Sequence, residues 1–415
     1  MKAHSALTIA MIGTRGVPAS YGGFETAVEE IGARLVKRGH RVIVYCRGFD
    51  KPRHVSHRGM ELVHLGAVRS RSLETLSHTA ASVAHLATHG GADVAFVFNA
   101  ANAPFVPLLH LRGIPVAVHV DGLEWQRSKW GGGGRRYYRG AESASVRFAD
   151  ALIADAAGIA DYYRHEFDVQ TELLAYGAPI QLAPGYDRLA ELDLVPGGYH
   201  LAVARLEPEN NVHTIVDGYS ASAAKLPLIV VGTAPYGEEY ISRLERAAAT
   251  DPRIRMLGGL WDQAQLDQLY ANAASYLHGH SVGGTNPSLL RAMGAATPTI
   301  AFDVVFNREV LGSAGQFFAD PGALAGIIES AEADPESSEA RGLALRERAA
   351  TTYNWDDVAA GYSSLAARLA GGYRYSPRRG RRNRASAWAA TASSDVGAVT
   401  VSTATTDVVT EAPIV

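Results

Sequence analysis

Short apolar runs alternate with amphipathic segments along this chain, and this alternation restricts the fold more than any other feature. Leu7 to Ile12 is an apolar, β-branched run closed by Gly13, as expected of a buried strand. From Phe24 to Arg38 apolar residues recur every three or four positions, glutamates come early and basic residues late, which predicts a helix. Further strands are predicted at Arg41 to Cys46, Glu61 to Leu65, Val94 to Phe98, Pro115 to Val120, Ala151 to Ala154 and Glu172 to Ala175. The pattern predicts a mostly parallel, doubly wound α/β sheet.

A second series of strands and helices follows a segment that breaks the alternation. Residues 177–198 contain three prolines and end in Gly-Gly, as a linker would. The strands predicted after it are Leu201 to Ala204, Pro227 to Val231, Ile254 to Leu257, Ser275 to Leu277, Pro298 to Phe302 and Gln316 to Phe318. A last helix, Tyr353 to Leu369, has apolar residues along one side and is expected to pack across an existing structure.

These patterns predict two domains and a tail. The N-terminal Rossmann-like domain is expected over residues 1–185, completed by a crossover helix at 353–371, and the C-terminal Rossmann-like domain over residues 186–352. With 415 residues and 47% hydrophobic content, the chain can bury two cores. Residues 373–415 are first rich in arginine and then mostly Ala, Ser, Thr and Val, so a disordered tail is expected.

Composition disfavours several classes of protein. The net charge of −3 gives no global attraction for nucleic acid. Cys46 is the only cysteine, which excludes an internal disulfide and a cysteine-based zinc site and suits a reducing compartment. The N-terminal MKAHSALTIAMIG has no cleavage site and no long apolar span. We therefore predict a cytoplasmic protein without a signal peptide or a transmembrane helix.

The stretch from His278 to Gly294, HGHSVGGTNPSLLRAMG, joins an apolar run to a predicted helix. Asn286 suits the N-cap and Pro287 the first helical position. The first N–H groups of a helix carry its positive dipole end, and Gly283 and Gly284 would let a bulky anion approach the backbone. A phosphate or diphosphate is the simplest ligand, although an ordinary strand-to-helix connection has the same pattern.

Two other loops that follow predicted strands carry polar side chains, and ligands of open α/β sheets bind at this end of the strands. The loop GTRGVPASYGGFE offers Arg15 as a phosphate donor, with Gly22 and Gly23 before a helix. It lacks the G-x-G-x-x-G spacing of an NAD-binding protein. The loop HVDGLEWQRSKW holds Asp121 and Glu124, which either act as acid, base or hydroxyl-orienting groups or form a solvated turn.

A further loop, RLEPENN, is expected to point Arg205 toward the same cleft. His278 and His280, beside the glycines, are expected to donate to a sugar or a phosphate, a buried structural role being the alternative. Loops from both halves of the chain can bind an anion, and one side also carries carboxylates. Together they predict a cleft that holds a phosphorylated, hydroxyl-rich ligand. A nucleotide-sugar fits that description.

His85 and His89 lie four residues apart on a predicted helix, a spacing that can bind zinc. The sequence shows no accompanying acid or third ligand. We therefore predict an ordinary surface helix, no metal site and no cofactor.

Five separated motifs also resemble one family. The stretch GTRGVPASYGGFETAVEEIGARLVKRGHRVIVYC resembles the N-terminal domain of bacterial rhamnosyltransferase-like members of glycosyltransferase family 4, and the resemblance continues through DGLEWQRSKW, VARLEPENN, HGHSVGGTNPSLLRAMG and FDVVFNREVLG. It covers roughly residues 5 to 371. It implies a GT-B fold, in which two Rossmann-like, doubly wound α/β domains face a cleft and the second holds most of the donor nucleotide. It also implies retaining transfer from a nucleoside diphosphate sugar without a bound metal.

The resemblance also implies roles for individual residues. Gly22 and Gly23 match the family's glycine loop near the diphosphate, and Arg205 matches an arginine that contacts it. Asn210 stands where many relatives have a lysine, so part of the usual phosphate charge is missing. Asp121 stands where many relatives have a histidine near the transferred sugar.

The motif around the second glycine pair is matched less completely. Gly283 to Pro287, including Thr285 and Asn286, match the family's backbone cradle, and Glu309 matches an acidic residue after the following strand. Arg291 stands where relatives usually have a glutamate that accepts hydrogen bonds from the donor ribose. Because arginine only donates hydrogen bonds, Arg291 either pairs with the diphosphate or marks a weakened enzyme.

We therefore expect a glycosyltransferase that uses Asp121, Glu124 and Arg205 in catalysis. It would move a sugar, with rhamnose suggested by the resemblance alone, from a nucleoside diphosphate to a surface polysaccharide or a lipid-linked glycan. A non-catalytic nucleotide-sugar-binding protein, which Arg291 suggests, and a nucleotide-sugar epimerase are the alternatives. The arginine cluster from Arg374 to Arg384 either forms a solvated tail or brings the protein to the anionic inner face of a membrane.

Overall fold

The computed structural model describes residues 6–19, 22–48, 54–70, 73–120, 122–127, 130–234 and 238–375 of the chain. Asp121 and most of the predicted tail, residues 376–415, lie outside the described residues. Within the described ranges no helix combines the length and the apolar character needed to cross a membrane.

The N-terminal half builds an eight-stranded sheet. Its strands are β1 (Thr8–Ile12), β2 (Arg41–Arg47), β3 (Ser56–His57), β4 (Met60–Leu65), β5 (Val94–Phe98), β6 (Val116–Val120), β7 (Ala151–Ala154) and β8 (Glu172–Leu173). They lie in the order β3-β4-β2-β1-β5-β6-β7-β8, and every neighbouring pair is parallel except β3 with β4. The predicted last strand is shorter than expected and ends at Leu173.

Helices cover both faces of this sheet, which is why its central strands are almost continuously apolar. They are α1 (Gly23–Lys37), α2 (Glu74–His89), α3 (Val106–His110), α4 (Gly132–Phe148) and α5 (Ala157–Phe167), with 3-10 turns at Ala100–Phe105 and Glu124–Gln126. The apolar stripe of α1 packs against one face of the sheet, and α2 to α5 pack against the other.

The hairpin of β3 and β4 escaped the sequence analysis. Arg58 and Gly59 connect the two strands with φ of 49° and 83°. Two positive φ angles in succession match the tight turns that join antiparallel strands. Only two residues pair, His57 with Met60 and Ser56 with Glu61, so no alternating pattern is long enough to predict the strand.

The C-terminal half builds a six-stranded parallel sheet in the order β11-β10-β9-β12-β13-β14. Its strands are β9 (His200–Val203), β10 (Leu228–Val231), β11 (Ile254–Gly258), β12 (Ser275–His278), β13 (Thr299–Phe302) and β14 (Gln316–Phe318). Its helices are α6 (Val212–Ala221), α7 (Glu238–Ala248), α8 (Gln263–Ala271), α9 (Pro287–Gly294), α10 (Val305–Leu311), α11 (Pro321–Ala333) and α12 (Pro335–Thr352). The predicted strands are all present, with ends displaced by one residue or less.

The last helix, α13 (Trp355–Ala370), returns to the N-terminal domain. The ring of Tyr362 lies 5.0 Å from that of Phe96 on β5. Arg34 of α1 and Arg38, which directly follows the helix, donate to the side chain and the main chain of Asp356 at 2.8 and 2.7 Å. The two parallel-sheet domains confirm the predicted fold class.

Candidate functional site

One cavity of about 990 Å³ lies between the two domains, where residues following the strands of both sheets meet. The predicted site residues that line it are Arg15, Gly22, Gly23, Glu124, Arg205, His280, Gly283, Gly284, Thr285, Asn286 and Arg291. Asn210, His278 and Glu309 lie outside the lining. This convergence follows from the topology, because the carboxyl ends of parallel strands share one edge of a sheet.

The N-terminus of α9 forms one wall of the cavity. Asn286 caps it, accepting a hydrogen bond from the Ser288 N–H at 2.9 Å, and Pro287 occupies the first helical position. Gly283 has a φ of 137°, which a residue with a side chain rarely adopts. The first turn of α9 contains no acidic residue, so no carboxylate of the helix itself compensates its positive dipole end, and this end suits an anion.

The glycine loop before α9 is pressed against the N-terminal domain. A Cβ added to Gly122 would lie 2.6 Å from the Cα of Gly283, and one added to Gly284 would lie 2.1 Å from Oδ1 of Asp155. The Thr285 hydroxyl donates to the main-chain oxygen of Asp155 at 2.6 Å. The second glycine pair therefore serves close contact between the domains as well as access for a ligand.

The N-terminus of α1 reaches the same cavity but differs in charge. Gly22, with a φ of 111°, stands at its N-cap, and no side chain caps the helix. Glu25 lies in the first turn, and its Oε1 accepts from the Arg15 N–H at 3.0 Å. This carboxylate compensates the dipole, so the end of α1 is less suited to an anion than that of α9.

Arg205 follows β9 and lines the cavity with about one-third of its side chain exposed. Its Nη1 lies 3.2 Å from a carboxylate oxygen of Glu207. Asn210 is buried and donates to the main-chain oxygen of Arg205 at 2.7 Å. Asn210 thus holds the loop that carries Arg205 and does not face the cavity.

The loop after β6 places Glu124 in the cavity. Its Oε1 lies 2.8 Å from Nε of Arg127, and its Oε2 accepts a hydrogen bond from the Trp130 indole N–H at 3.2 Å. Arg127 also lines the cavity and was not predicted from the sequence. Glu124 is therefore held in a fixed position beside a cation.

His278 and His280 form a stacked pair with ring centroids 4.5 Å apart. Burial lowers the pKa of His278 to about 3, and its Nδ1 lies 3.1 Å from the Tyr276 hydroxyl. Burial, together with the charges of neighbouring Arg205 and Arg127, holds the pKa of His280 well below its usual range. Both rings are neutral at pH 7, so His280 can form hydrogen bonds in the cavity but adds no charge there.

Arg291 lines the cavity from the last turn of α9. Its Nη2 donates to Oε1 of Gln263 at 2.7 Å, and its Nε lies 3.4 Å from Oδ1 of Asp267. Its guanidinium also lies 5.9 Å from the Tyr270 ring centroid. The side chain is therefore directed toward α8.

Glu309 was predicted to bind the donor, but it does not line the cavity and contacts the other domain instead. Its carboxylate oxygens accept from the N–H groups of Ala157 and Gly158 at 2.6 and 3.1 Å. These groups are the first of α5, so a glutamate of the C-terminal domain compensates a helix dipole of the N-terminal domain. The sequence gives no sign of this, because the partners are about 150 residues apart.

Asp155 also lines the cavity, directly after β7, and was not predicted from the sequence. The residue is 3% exposed, and within the described residues its Oδ1 has no hydrogen-bond partner. Burial, with the Glu309 carboxylate as a further cause, raises the pKa of Asp155 to about 7. The rule that ligands bind after strand ends would have found Asp155, since it follows the apolar run ALIA.

His85 and His89 stack on each other with centroids 4.1 Å apart, and His85 Nδ1 lies 3.2 Å from the Tyr45 hydroxyl. Across the described part of the chain, no group of three or more His, Cys, Asp or Glu side chains is arranged to hold a metal ion.

Two family models match this chain. Residues 6–179 match a domain of unknown function (DUF1972), and residues 198–334 match glycosyl transferases group 1. An O-antigen chain mannosyltransferase B of Escherichia coli is 28% identical over 179 residues. That match covers 41% of this chain and 45% of the relative, so it spans less than half of the relative's length.

Solved structures resemble the whole two-domain arrangement. A sucrose-phosphate synthase of Thermosynechococcus elongatus has a TM-score of 0.76 and 21% identity, over 88% of this chain and all of that one. The Anabaena protein HepE, solved with UDP-glucose, has a TM-score of 0.70 and 15% identity, over 87% of this chain and 99% of that one. The chain therefore has the GT-B fold of glycosyltransferases, and its C-terminal half carries a glycosyl transferases group 1 domain.

Proposed function

We propose that this protein transfers a sugar from a nucleoside diphosphate sugar to a surface polysaccharide or a lipid-linked glycan. Rhamnose is the sugar that the family resemblance suggests. The similarity to a mannosyltransferase makes mannose the second sugar to test. The retaining outcome and membership of glycosyltransferase family 4 belong to this proposal and rest on the motif resemblance.

The observation that carries the proposal is the end of α9. Its capped N-terminus has no acid in the first turn, is preceded by Gly283 and Gly284, and shares a cavity with Arg205. A diphosphate there would accept main-chain hydrogen bonds and be neutralised by the helix dipole and one guanidinium. HepE, which has the same fold, was solved with UDP and with UDP-glucose.

Transfer would then need no metal ion. As the sugar leaves, negative charge develops on the diphosphate, and amides fixed in advance stabilise it without reorganisation. Glu124, held by Arg127 and Trp130, would orient a sugar or acceptor hydroxyl. Neutral His280 would form a hydrogen bond to the sugar or a phosphate oxygen, and Asp121 retains its proposed role near the transferred sugar.

The proposal places the protein in the cytoplasm, at the inner face of a membrane. Nucleoside diphosphate sugars are the donors, and a lipid-linked acceptor would be presented at that surface. The arginines of the tail, between Arg374 and Arg384, would then strengthen contact with anionic lipids.

Mass-spectrometric turnover with a panel of nucleotide-sugars, with and without glycan acceptors, tests the proposal. Transfer or slow donor hydrolysis without added metal and in the presence of a chelator is the expected result. Interconversion of sugars without an acceptor would point instead to an epimerase, and dependence on a divalent cation would overturn the metal-free mechanism.

A second candidate, a nucleotide-sugar-binding protein without turnover, is favoured by one observation. Arg291, where relatives have a ribose-binding glutamate, contacts Gln263 and Asp267. Saturable donor binding without turnover across the whole panel would support this candidate.

A further inference from the structure

The first turn of α5 is completed by the other domain. The helix has no side-chain cap of its own and no acid in its first turn. Its first two N–H groups donate to the Glu309 carboxylate on α10 of the C-terminal domain. Phe306 of α10 packs so closely on Gly158 that an added Cβ would lie 2.7 Å from its ring. Helix α10 therefore both caps and covers the start of α5.

The groups that make these contacts are fixed within the C-terminal domain. Arg348 of α12 donates to the main-chain oxygens of Glu309 and Val310 at 2.9 and 2.8 Å. The Thr285 hydroxyl, in the loop before α9, donates to the main-chain oxygen of Asp155 at 2.6 Å. Because α10 and this loop both belong to the C-terminal domain, their contacts with α5 and Asp155 would be lost together if the domains separated.

The carboxyl group of Asp155 lies at the centre of this contact. The residue is 3% exposed, its Oδ1 has no hydrogen-bond partner within the described residues, and a Cβ on Gly284 would lie 2.1 Å from that atom. The titratable groups that face it are Glu309 from α10 and Tyr362 from α13. Burial holds the pKa of the Tyr362 hydroxyl well above its usual range, with Asp155 as a further cause. Among the described residues no basic side chain affects the pKa of Asp155, and burial raises that pKa to about 7.

This environment accepts a neutral acid and opposes a carboxylate. A buried carboxylate without a cation is costly, and the nearby Glu309 carboxylate adds repulsion. Water could solvate the charge only if the loop carrying Gly284 and Thr285 moved away from Asp155. Protonation therefore favours the contact between the domains, and ionisation favours its separation.

We propose that Asp155 is a proton-operated latch between the two domains. In its neutral form it allows residues 283–285 and α10 to stay against the start of α5, and in its ionised form it releases them. The latch needs no donor or acceptor, so it stands beyond the proposed sugar transfer and is independent of it. In a transferase it would position the anion site at the end of α9 more firmly below pH 7 than above it.

Hydrogen exchange of the full-length protein, measured by mass spectrometry without any ligand, tests the latch. The segment 155–163 contains the Ala157 and Gly158 amides that donate to Glu309. The pKa of Asp155 is higher with the latch closed than open, so protection is present at pH 6 and lost as pH rises through 7. After correction for the intrinsic pH dependence of exchange, protection of this segment should fall about 10-fold between pH 6 and pH 8. Protection of the β5 strand should change by less than about 2-fold.

Three variants separate the latch from other causes. Asp155→Asn keeps the shape but cannot ionise, so the fall in protection should shrink to less than about 2-fold. Asp161→Asn, the matched control on the exposed side of α5, should keep the wild-type fall, because Asp161 pairs only with Arg164 at the surface. Thr285→Val should lower protection about 5-fold at every pH without changing its pH dependence. Thermal unfolding checks that each variant folds.

The wild type alone can already contradict the latch. Protection of 155–163 that does not change with pH, or an equal change in β5, would overturn the proposal, even if Asp155→Asn did not fold. A fall of wild-type size in Asp155→Asn would overturn it as well. None of these results depends on whether the protein binds or transfers a sugar.

Discussion

Two helix N-termini reach the same cavity, and they are built differently. The end of α9 is capped by Asn286, has Pro287 in its first position and carries no acid in its first turn. The end of α1 begins after Gly22, has no side-chain cap and holds Glu25 in its first turn. A glycine pair before a helix therefore does not by itself create an anion site, because a carboxylate in the first turn opposes the attraction of the dipole.

The same contrast extends to the two walls of the cavity. The C-terminal wall offers main-chain amides, the neutral His280 and Arg205, which suit a diphosphate. The N-terminal wall offers paired charges such as Glu124 with Arg127, which suit polar but uncharged hydroxyls. We therefore expect changes on the C-terminal wall to affect donor binding more than equivalent changes on the N-terminal wall.

The largest expected effect is that of Gly284→Ala. The new Cβ would lie 2.1 Å from Oδ1 of the buried Asp155, so the loop would move away from the position that supports the donor. We expect kcat/KM to fall about 1000-fold in a transfer assay. The control is Gly23→Ala, whose new Cβ would lie 3.1 Å from Cγ of Pro287. This variant should lower kcat/KM by less than about 5-fold. Equal losses in the two variants would contradict the difference between the two glycine pairs.

The variant Asp155→Asn tests the contact between the two walls, because the effect of this substitution on the free energy of unfolding should depend on pH. The pKa of Asp155 in the folded protein, about 7, is above its unfolded value. The neutral form is therefore favoured by folding, and its contribution to stability is present below the unfolded pKa and lost as pH rises through 7.

The variant should therefore gain stability over the wild type by about 1 to 3 kcal/mol at pH 8, and by little at pH 4. Thermal or denaturant unfolding across this range is the measurement. A difference that does not change with pH would show that the carboxyl is not buried in this way.

Arg205→Ala and Arg15→Ala compare one cation from each wall. Removing Arg205 should weaken binding of a nucleoside diphosphate about 10- to 30-fold, because a charge-assisted hydrogen bond is lost. Removing Arg15 should change the affinity by less than about 3-fold, since the Glu25 carboxylate in the first turn of α1 lies 3.0 Å from the Arg15 main-chain nitrogen and repels an anion there. Isothermal titration with the diphosphate measures both, and the reverse order would place the diphosphate at α1.

Arg291→Glu is expected to have the smallest effect. The substitution removes the contact with Gln263 and places a second carboxylate beside Asp267, so stability should fall by about 1 kcal/mol. Donor-nucleotide affinity should stay unchanged or weaken slightly, and Arg291→Gln serves as the uncharged control. Tighter donor binding by the glutamate variant would instead identify a damaged ribose site.

Much of the fold could be predicted because parallel strands buried on both faces are continuous apolar runs. The strand at Val94–Phe98 and the helix from Gly23 to Lys37 have such clear periodicity that their positions followed directly. The two-residue strand β3 could not be predicted, because it depends on a turn at Arg58 and Gly59 and has no pattern of its own.

The candidate site was predictable to the extent that it follows strand ends. Arg205 and the Gly283 to Asn286 loop were identified by this rule, and both line the cavity. Asn210 and Glu309 were also identified, but their contacts are with the main chain of neighbouring segments. Motif position indicates which loop a residue occupies, whereas side-chain direction depends on what else is packed nearby.

The sequence alone determined that this protein would form two parallel α/β domains and that glycine-rich, anion-friendly loops would lie at their strand ends, because apolar periodicity and helix-capping residues are local properties. Packing between distant segments buries Asp155 against Gly284 and places Glu309 at the dipole of α5. It also leaves the end of α9 without an acid in its first turn, while Glu25 lies at the end of α1. These outcomes depend on groups that are distant in the chain and meet across the cleft, where burial and neighbouring charge determine each residue's pKa and contacts.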